Sequence, residues 1–503
     1  ELAPWWVTLA RHEQSRYPVQ GAEHYEMLDQ KTRENLTALH FVTIDSESTM
    51  DMDDALYIEP IAQNSTQTGW KLVVAIADPT AYIDLDSQIE QEAKQRCFTN
   101  YLPGFNIPML PRELSDELCS LIANETRPAL VCYIETDLAG NITAKPHFVS
   151  AYVQSKAKLA YNKVSDYLEQ ADNAWQPETP ETAQQIHWLH QFTKARIQWH
   201  KTHSLLFKEK PDYAFVLAEN GKVQEIKAEY RRIANQIVEE AMIIANICAA
   251  QFLHEQAKTG IFNTHSGFDK KFLENAHHFL MANLANEQNQ TELAERYSVE
   301  NLATLNGYCQ MRHDIEPIES DYLELRLRRY LTFAEFKSEL APHFGLGLEG
   351  YATWTSPIRK YSDMVNHRLI KAVLAKQPYE KTQNDVLARL QEARRQNRLV
   401  ERDIADWLYC RYLAPKVAEN VEFNAEVQDV MRGGLRVQLL ENGASMFIPA
   451  STLHNNKEEM QVNSDEIALY IKGERTYKIG DIVKVKLTEV KEATRSIVGE
   501  ILQ

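Results

Sequence analysis

The sequence predicts a mixed α+β protein in which a central sheet is wrapped by helices and followed by a separate all-β domain. Three observations lead to this prediction. Residues 37–155 carry repeated apolar runs typical of strands, residues 156–260 are mainly helical in pattern, and short alternating strands begin at about residue 417. With 503 residues, the chain is long enough for two or three domains.

Each stretch of the first part has its own pattern. Residues 1 to about 36 are polar and aromatic with few strand signals, which indicates a linker or wrapping segment. The strand runs that follow include LHFVTI, ALYIEPI and WKLVVAIA. Further on, YRRIANQIVEEAMIIANICAAQFLHEQA has apolar positions all round and predicts a buried helix. Residues 362–416 predict two long helices.

The C-terminal stretch predicts a small barrel. FNAEVQDVMRGGLRVQLLENGASMFIPASTLH has the pattern strand, Gly-Gly turn, strand, turn, strand, and YKIGDIVKVKLTEVKEATRSIVGEIL supplies two more strands. Five short strands with Gly turns are typical of an OB-type barrel. Such barrels often bind single-stranded nucleic acid through a basic groove and aromatic platforms. The groups available for this purpose are Arg432, Arg436, Phe447, His454 and Lys472.

The net charge of −17 does not favour a nucleic-acid partner, because proteins that bind nucleic acids usually show a basic footprint. A channel needs only local positive charge, however, and two arginine clusters could supply it. One lies between Arg389 and Arg402, and the other between Arg326 and Arg329. Both could also be solvated helix faces, which is the usual meaning of charge runs.

Cysteine usage and hydropathy place the chain in a reducing, aqueous compartment. The six cysteines are scattered and form no C-x-x-C pair, so neither a zinc site nor a disulfide framework is indicated. A cytoplasmic location is the simplest expectation. No continuous apolar run of about 18 residues and no signal-peptide pattern is present, so no membrane partner is expected.

The most informative segment is TIDSESTMDMDDALYI, in which Asp45, Asp51, Asp53 and Asp54 lie within ten residues. Carboxylates this close repel one another unless a cation lies among them. Hard oxygen ligands suit Mg²⁺, with Mn²⁺ as a possible substitute. The apolar runs on either side are typical of buried strand ends, which places the acids on a loop at the edge of a core, where active sites tend to lie.

Other structures also produce acidic segments. A solvated turn is one, because Asp and Ser favour turns. A calcium loop of the EF-hand kind is excluded, because Ala55 and Leu56 follow Asp54 directly where that loop needs other residues. An aspartyl-phosphate transferase of the D-x-D kind could use Asp51 and Asp53, and it remains open on this segment alone.

A second segment, HFGLGLEGYATWTSPIRKYSDMVNHRLIKAV, runs from a Gly-rich loop into a predicted helix. Pro357 suits the first helical turn, with Ser356 or Thr355 as its cap. Arg359 and Lys360 then lie where the helix dipole disfavours cations, and they fit better if an anion such as phosphate binds between them. The alternative is an ordinary surface turn with solvated charges.

Four stretches together resemble the ribonuclease II family of 3′→5′ exoribonucleases: DSESTMDMDDA, FTNYLPGFNIPMLPRELSDELCSL, RRIANQIVEEAMIIAN and HFGLGLEGYATWTSPIRKYSDMVNHR. The similarity is greater to the bacterial ribonuclease II branch than to the ribonuclease R branch, and it extends from about Pro4 to the end of the chain. It implies a catalytic RNB domain over residues 37–416, an OB-fold RNA-binding domain over residues 417–503, and single-stranded RNA as the substrate and partner.

The resemblance also implies roles for the acidic segment. Asp45, Asp51 and Asp54 match the family positions that hold magnesium. Asp53 matches the acid most needed for chemistry, either orienting the attacking water or holding a second ion. Arg359 matches the arginine that grips the scissile phosphate, where a guanidinium fork suits phosphate oxygens. The implied reaction is a metal-assisted hydrolysis, with two ions, that releases nucleoside 5′-monophosphates.

A further set of residues matches family positions that contact RNA. Tyr101 and Phe207 would clamp the terminal bases by stacking, which gives little sequence preference. Tyr161 and Glu239 match residues near the bound ribose, where a phenol or carboxylate can bond the 2′-OH that DNA lacks. Lys360 beside Arg359, and Glu401 on a predicted helix, complete the set. For most of these residues, a core or capping role is the alternative.

Family members usually carry two cold-shock-type barrels ahead of the catalytic domain, and this sequence begins near the segment that would follow them. We therefore expect a fragment of a longer protein, acting as a monomer without an obligate protein partner. Two other functions remain possible from the sequence. One is an RNA-binding protein with an inactive RNB domain, and the other is a Mg²⁺-dependent phosphotransferase.

Overall fold

A central sheet surrounded by helices and a small C-terminal barrel make up the protein, as the sequence predicts. The computed structural model describes residues 5–14, 17, 24–29, 33–206 and 210–503. The strands before the barrel are β1 (Glu34–Asn35), β2 (Phe41–Asp45), β3 (Asp54–Gln63), β4 (Thr66–Ala77), β5 (Asn100–Leu102), β6 (Phe105–Ile107), β7 (Thr126–Asp137), β8 (His147–Ala160), β9 (Asp212–Leu217), β10 (Val223–Glu229), β11 (Phe262–Thr264) and β12 (Glu335–Lys337).

The main sheet has the order β1-β8-β2-β3-β4-β7, and strand β8 also pairs with β7. The first half of β8 pairs antiparallel with β7, from His147 to Gln154. Its second half pairs in parallel with β2, from Ser155 to Ala160. Because one long strand pairs on both sides, β2, β3, β4, β7 and β8 form a closed circuit. The sequence predicts the central sheet but not this closure.

Helices cover the sheet and contribute the remaining side chains of the hydrophobic core. Short 3₁₀ or π turns extend several of them, including Leu253–Ala257 and Glu316–Ile318. The helices before the barrel are α1 (Trp5–Gln14), α2 (Gln88–Arg96), α3 (Tyr161–Leu168), α4 (Pro180–His203), α5 (Ile233–Phe252), α6 (Leu273–Leu284), α7 (Gln290–Arg296), α8 (Val299–Leu302), α9 (Leu305–Ile315), α10 (Asp321–Arg328), α11 (Tyr361–Leu374) and α12 (Asn384–Leu413).

Helix α5 is the predicted buried helix. Its residues Ile237 and Ile244 belong to the same core as Leu72 of β4 and Ile134 of β7. By length and composition alone, Ile233–Ala257 could cross a membrane, but 67% of its apolar window is buried inside the protein. That burial is what a core helix shows, because its apolar surface is covered by the sheet and neighbouring helices. The two long helices predicted over residues 362–416 correspond to α11 and α12.

The C-terminal domain contains the predicted five-stranded closed barrel, in the order β13-β14-β15-β20-β19. Its Gly-Gly turn needs glycine, because Gly434 has φ of +147° and a Cβ there would lie 2.0 Å from the carbonyl oxygen of Ile448. A three-stranded sheet, β16-β17-β18, was not predicted. The elements are β13 (Glu422–Met431), β14 (Gly434–Leu439), β15 (Ser445–Pro449), α13 (Ala450–Leu453), β16 (Met460–Asn463), β17 (Ala468–Ile471), β18 (Glu474–Lys478), β19 (Ile482–Lys491) and β20 (Ser496–Ile501).

Candidate active site

The four aspartates of the acidic segment lie at one edge of the closed sheet. Asp45 is the last residue of β2 and Asp54 the first residue of β3, and these strands are antiparallel neighbours. Asp51 and Asp53 lie in the connection between them. Asp53 is only 7% exposed and Asp54 9% exposed. This burial is not that of a solvated acidic turn.

A cavity of about 520 Å³ opens beside this edge and brings together residues that are far apart in sequence. A pocket of this size is within the range that holds small ligands or part of a polymer. The predicted site residues that line it are Asp45, Asp51, Asp53, Asp54, Tyr101, Tyr161, Arg359 and Lys360.

The acids are strongly perturbed by their surroundings. Burial, reinforced by the charge of Asp51, raises the pKa of Asp45 to about 7. Burial also raises the pKa of Asp53 to about 8, although the neighbouring Arg359 lowers it. The pKa of Asp54 is raised well above its ordinary value by burial and by the charges of Asp45 and Asp53. Like charges crowded in a buried site disfavour ionisation of all of them.

The donor set of this cavity fits a divalent cation. Among the residues that the structure describes, the buried oxygens Asp45 Oδ2 and Asp54 Oδ2 have no hydrogen-bond partner. Unpartnered buried carboxylate oxygens are costly, and a hard cation would satisfy them. Across the described ranges, no three His, Cys, Asp or Glu side chains converge as a complete metal-ligand set. The fit therefore rests on the chemistry of the donors and on the two unpartnered oxygens.

Arg359 reaches the acids from a turn and not from a helix, so the prediction of a helix beginning at Pro357 is wrong. Helix α11 begins at Tyr361, and Lys360 is its N-terminal cap residue. Before it, Arg359 N and Lys360 N donate to the Ser356 carbonyl at 3.2 and 2.9 Å and close a single turn. Lys360 itself is extended and forms an antiparallel bridge with Phe98. The carbonyl of Arg359 accepts from Thr99 N at 3.0 Å. These bonds to residues 98–99 hold Lys360 extended, which separates the turn at Ser356 from the helix that follows.

Asp53 and Asp363 hold this turn in place. The Ile358 amide donates to Asp53 Oδ1 at 3.2 Å, and Arg359 Nε lies 3.7 Å from Asp53 Oδ2. The Ser356 amide donates to Asp363 Oδ2 at 2.9 Å. One carboxylate therefore positions both the backbone and the guanidinium of the turn. The Arg359 side chain keeps 40% exposure, so it is accessible to a ligand in the cavity.

Two tyrosines stand at the walls of the cavity. Tyr101 lies in the β5–β6 hairpin and is 47% exposed, so its ring is accessible for stacking. Tyr161 is the first residue of α3, directly after Ala160, which pairs with Asp45 across β8 and β2. Burial, together with Asp54 and Asp45, raises the pKa of Tyr161. Both side chains lie beside the acids, as the RNA-contact prediction requires.

Two of the predicted residues that the structure describes do not line the cavity. Glu239 is on α5 beside the lining residue Val238, but it forms an ion pair with Arg231. Glu401 is exposed on α12. Phe207 lies outside the described residues. The structure thus brings the acids, the tyrosines, Arg359 and Lys360 together, but not the two glutamates.

Several polar residues of the site were not predicted. Asn246 lies within the apolar helix α5, and its Oδ1 accepts from Trp354 N at 3.1 Å. Asn263 Oδ1 accepts from Thr353 N at 3.3 Å. Both amides hold the extended segment that leads into the Arg359 turn, and both line the cavity. A lone Asn in the run AMIIANICAA was the available signal, because a buried polar group needs partners.

One arginine cluster has a structural role. Arg326 is 5% exposed, its guanidinium lies 4.3 Å from the centroid of the Phe279 ring, and it donates to the hydroxyls of Tyr322 and Tyr330. Arg394, from the other cluster, lies 4.4 Å over the ring of Phe336. These stacked guanidinium groups are packed against aromatic faces and stabilise tertiary contacts.

Comparison with known proteins agrees with this architecture. The family model described as RNB domain matches residues 33–376, and the model described as S1 RNA binding domain matches residues 416–502. Exoribonuclease 2 of Haemophilus influenzae (strain Rd) is 96% identical over all 503 residues, which span 76% of that protein. Exoribonuclease 2 of Actinobacillus succinogenes is 77% identical over 502 residues, with the same 76% coverage of its length.

Among solved structures, Mycoplasma genitalium RNase R in complex with ribose methylated single-stranded RNA superposes with a TM-score of 0.81. That match covers 98% of this chain and 75% of the other, at 22% sequence identity, and it establishes the shared fold. The RNB match and the identity to the Haemophilus protein go further than the fold. The chain belongs to the RNB-domain family of exoribonucleases.

Proposed function

We propose that this protein hydrolyses single-stranded RNA from the 3′ end and releases nucleoside 5′-monophosphates, with Mg²⁺ as its cofactor and Mn²⁺ as a possible substitute. The observation that carries the proposal is the single cavity shared by the four aspartates and Arg359. An acid cluster that holds a divalent cation, opposite a guanidinium that binds phosphate, is the arrangement that phosphodiester hydrolysis needs.

Within this proposal the aspartates and Arg359 have separate roles. Asp45, Asp51 and Asp54 supply the oxygens for the cation, and Asp53 is the acid on which the chemical step most depends. Bound ions would activate a water and stabilise the leaving oxygen. Arg359 binds the scissile phosphate, and Asp53 orients it through the 3.7 Å contact to its Nε. A preoriented guanidinium stabilises the charge that develops on the phosphate without reorganisation.

The RNA end is gripped by the aromatic and polar residues around the acids. Tyr101 and Phe207 stack on the terminal bases, and Tyr161 and Glu239 contact the ribose, which selects RNA over DNA. Lys360 adds positive charge beside Arg359, and Glu401 contacts the RNA farther along. The C-terminal barrel, which matches the S1 RNA binding domain model, holds the incoming strand. Support for an RNA-filled channel comes from the related fold of RNase R in complex with single-stranded RNA.

We further propose that the protein works as a monomer in the cytoplasm. All six cysteines are free thiols, and five of them are buried, which suits a reducing compartment. The proposed substrate strand needs only one copy of the cavity, because every residue assigned to catalysis lies in one chain.

The experiment that tests the function uses a 5′-labelled single-stranded RNA oligomer incubated with Mg²⁺, and then with EDTA. We expect stepwise shortening from the 3′ end, release of nucleoside 5′-monophosphates, and arrest by EDTA. Gel retardation without shortening would support a binding protein with an inactive RNB domain. Transfer of phosphate to an acceptor, with the RNA left at its full length, would support a phosphotransferase.

Matched oligomers test the direction and the sugar. A 3′-phosphate, or a run of 2′-deoxynucleotides at the 3′ end, is expected to slow degradation, because the buried site accepts a free RNA end. Blocking the 5′ end should have no effect. Equal rates on matched DNA and RNA oligomers would contradict the ribose-contacting roles of Tyr161 and Glu239.

A further inference from the structure

A second pocket lies immediately behind the acidic edge of the sheet. It has a volume of about 340 Å³ and is lined by residues of β8, α3, the start of α4 and the β2–β3 connection. Its charged and aromatic lining residues are Glu47, Lys156, Lys158, Lys163, Trp175 and Glu178. A volume near the lower limit of small-ligand pockets suits about one nucleotide and excludes a longer strand.

The strand register fixes how close this pocket is to the acids. In the parallel pairing of β2 with β8, Thr43 is opposite Lys158 and Asp45 is opposite Ala160. Ala160 lines the second pocket, whereas Tyr161, the next residue, lines the acid cavity. Glu47 follows Asp45 by two residues and lines the second pocket. The end of β8 and the start of the β2–β3 connection therefore form a wall that both pockets share.

The charge of the pocket favours a phosphate. Glu47 is neutralised by Lys163, whose Nζ lies 2.6 Å from its Oε1. Lys156 donates to the neutral Gln154 at 2.6 Å, and within the described part of the chain neither Lys156 nor Lys158 has an ion-pair partner. Among the lining residues, Lys156 and Lys158 therefore outnumber the remaining carboxylate, that of Glu178, although Lys158 also lies close enough to Asp45 to interact with its charge.

The start of helix α4 forms one side of the pocket. Its N-cap residue Thr179 and its residue Thr182 both line the pocket, and the helix runs for 24 residues from Pro180. The first amides of a long helix favour anions, but here Pro180 has no amide proton, Thr182 N already donates to Thr179 Oγ1 at 3.2 Å, and Glu181 lies in the first turn. The positive charge of the pocket therefore comes from its lysines, which lie on β8 and α3.

An aromatic ring completes the pocket. Trp175 is half-buried, and its indole packs edge-on against Tyr167 with a centroid distance of 6.3 Å. That contact fixes the ring while part of it faces the pocket. Aromatic faces stack on any base, so a ring beside ammonium groups suits a nucleotide without selecting its base.

We propose that this pocket binds the nucleoside 5′-monophosphate released by cleavage, with the phosphate near Lys156 and Lys158 and the base on Trp175. The inference rests on the proposed function, which makes this nucleotide beside the shared wall. A phosphomonoester carries about −1.5 to −2 charges near neutral pH, more than an internal diester, so the lysines favour the product over the intact strand. The pocket then serves as a product site next to the site of cleavage.

The test is equilibrium binding of AMP by calorimetry, in EDTA and without RNA, so that no turnover contributes. Lys156→Gln removes a charge, and Trp175→Leu removes the stacking face but keeps apolar bulk against the core. Each variant is expected to raise the Kd for AMP about tenfold. Lys145→Gln is the matched control, because Lys145 is 81% exposed, does not line the pocket, and should leave the affinity unchanged.

Adenosine and inorganic phosphate separate the parts of the ligand, and both should bind more weakly than AMP. In steady-state RNA degradation, added AMP should inhibit the wild type and inhibit Lys156→Gln less, while rates without added AMP are equal. Undetectable AMP binding, equal affinity in wild type and both variants, or inorganic phosphate binding as tightly as AMP would overturn the product site. None of these results affects the proposed function, which fails only if RNA is not degraded to 5′-monophosphates.

Discussion

Asp363 gives a strong test of how the Arg359 turn is held. Its side chain is fully buried and accepts hydrogen bonds from Thr353 Oγ1 at 2.6 Å, from Ser356 N at 2.9 Å and from Ser362 Oγ at 2.9 Å. The replacement Asp363→Ala removes one acceptor that serves three donors. Because Ser356 begins the turn that carries Arg359, the change should loosen the site as well as the fold.

The magnitude follows from these contacts. A hydrogen bond to a charged group contributes about 1.5–3 kcal/mol, and a buried donor left unpaired costs about 1–3 kcal/mol. The three bonds share one acceptor and do not add, so we expect a loss of about 3–5 kcal/mol in the free energy of unfolding. The matched variant Ser362→Ala removes one donor and leaves the other two bonds, and it should cost about 1 kcal/mol.

The assay combines urea denaturation with RNA degradation measured at a temperature where each variant is folded. Asp363→Ala should lose most of its cleavage rate while folded, and Ser362→Ala should keep most of it. The reasoning is refuted if Asp363→Ala unfolds within about 1 kcal/mol of the wild type, the cost of a single ordinary hydrogen bond. It is also refuted if both variants lose the same stability.

Three further perturbations test separate parts of the account. Arg359→Lys keeps the charge but loses the guanidinium fork, and single-turnover measurements should show cleavage about 10²–10³-fold slower with RNA affinity little changed. Tyr161→Ala should release a longer end product, seen on a denaturing gel, because losing one contact costs about 1–3 kcal/mol of binding free energy for the shortest substrates. An unchanged end product would show that Tyr161 has a core role instead. Asp78→Ala removes the carboxylate that lies 2.6 Å from Arg33 and 2.8 Å from Lys371, but Asp29 still pairs with both at 2.7 and 3.0 Å, so the loss should be about 1.5–3 kcal/mol. Burial acts to raise the pKa of Asp78, but the positive charge of Lys371 and its neighbours holds that pKa well below its usual range. The contribution of the Asp78 carboxylate to stability is therefore complete at neutral pH. The stability deficit of the variant should shrink as the pH falls into the acid range.

The elements that could be predicted from the sequence are those set by local pattern. The runs HFVTI and ALYI are short and apolar, and they form β2 and β3 with the acids between them. The five barrel strands could be predicted because each is short, alternating and bounded by turn residues. The closure of the main sheet could not, because it depends on which strands β8 contacts along its two halves.

Local preference failed where distant contacts were stronger. Ser356 and Pro357 are good residues for a helix start, yet the bridge between Lys360 and Phe98 delays the helix to Tyr361. The arginines near residue 326 look like a solvated run, but Arg326 itself is stacked between aromatic rings. Phe98 and Phe279, the partners that decide these two positions, lie far away in sequence, where no periodicity can reveal them.

The site shows the same division between local and distant information. The acidic segment was conspicuous because four like charges in ten residues need an explanation. Asp363 and Asn246 were not conspicuous, because single polar residues in helices are common and their burial is visible only in the fold. Their partners, Thr353 and Trp354, lie at least ten residues away. Single residues that hold a site in position are therefore harder to predict from sequence than a cluster of like charges within the site.

The most direct test of the central claim is the variant Asp53→Asn, assayed for hydrolysis and for RNA binding in the same preparation. The replacement removes the charge beside Arg359 and changes little of the shape, and the amide can still accept from Ile358 N. We expect turnover of single-stranded RNA to be abolished, while the Kd for the same RNA stays close to the wild-type value. Turnover at more than a small fraction of the wild-type rate would contradict the role of Asp53 and, with it, the acid-centred account of this site.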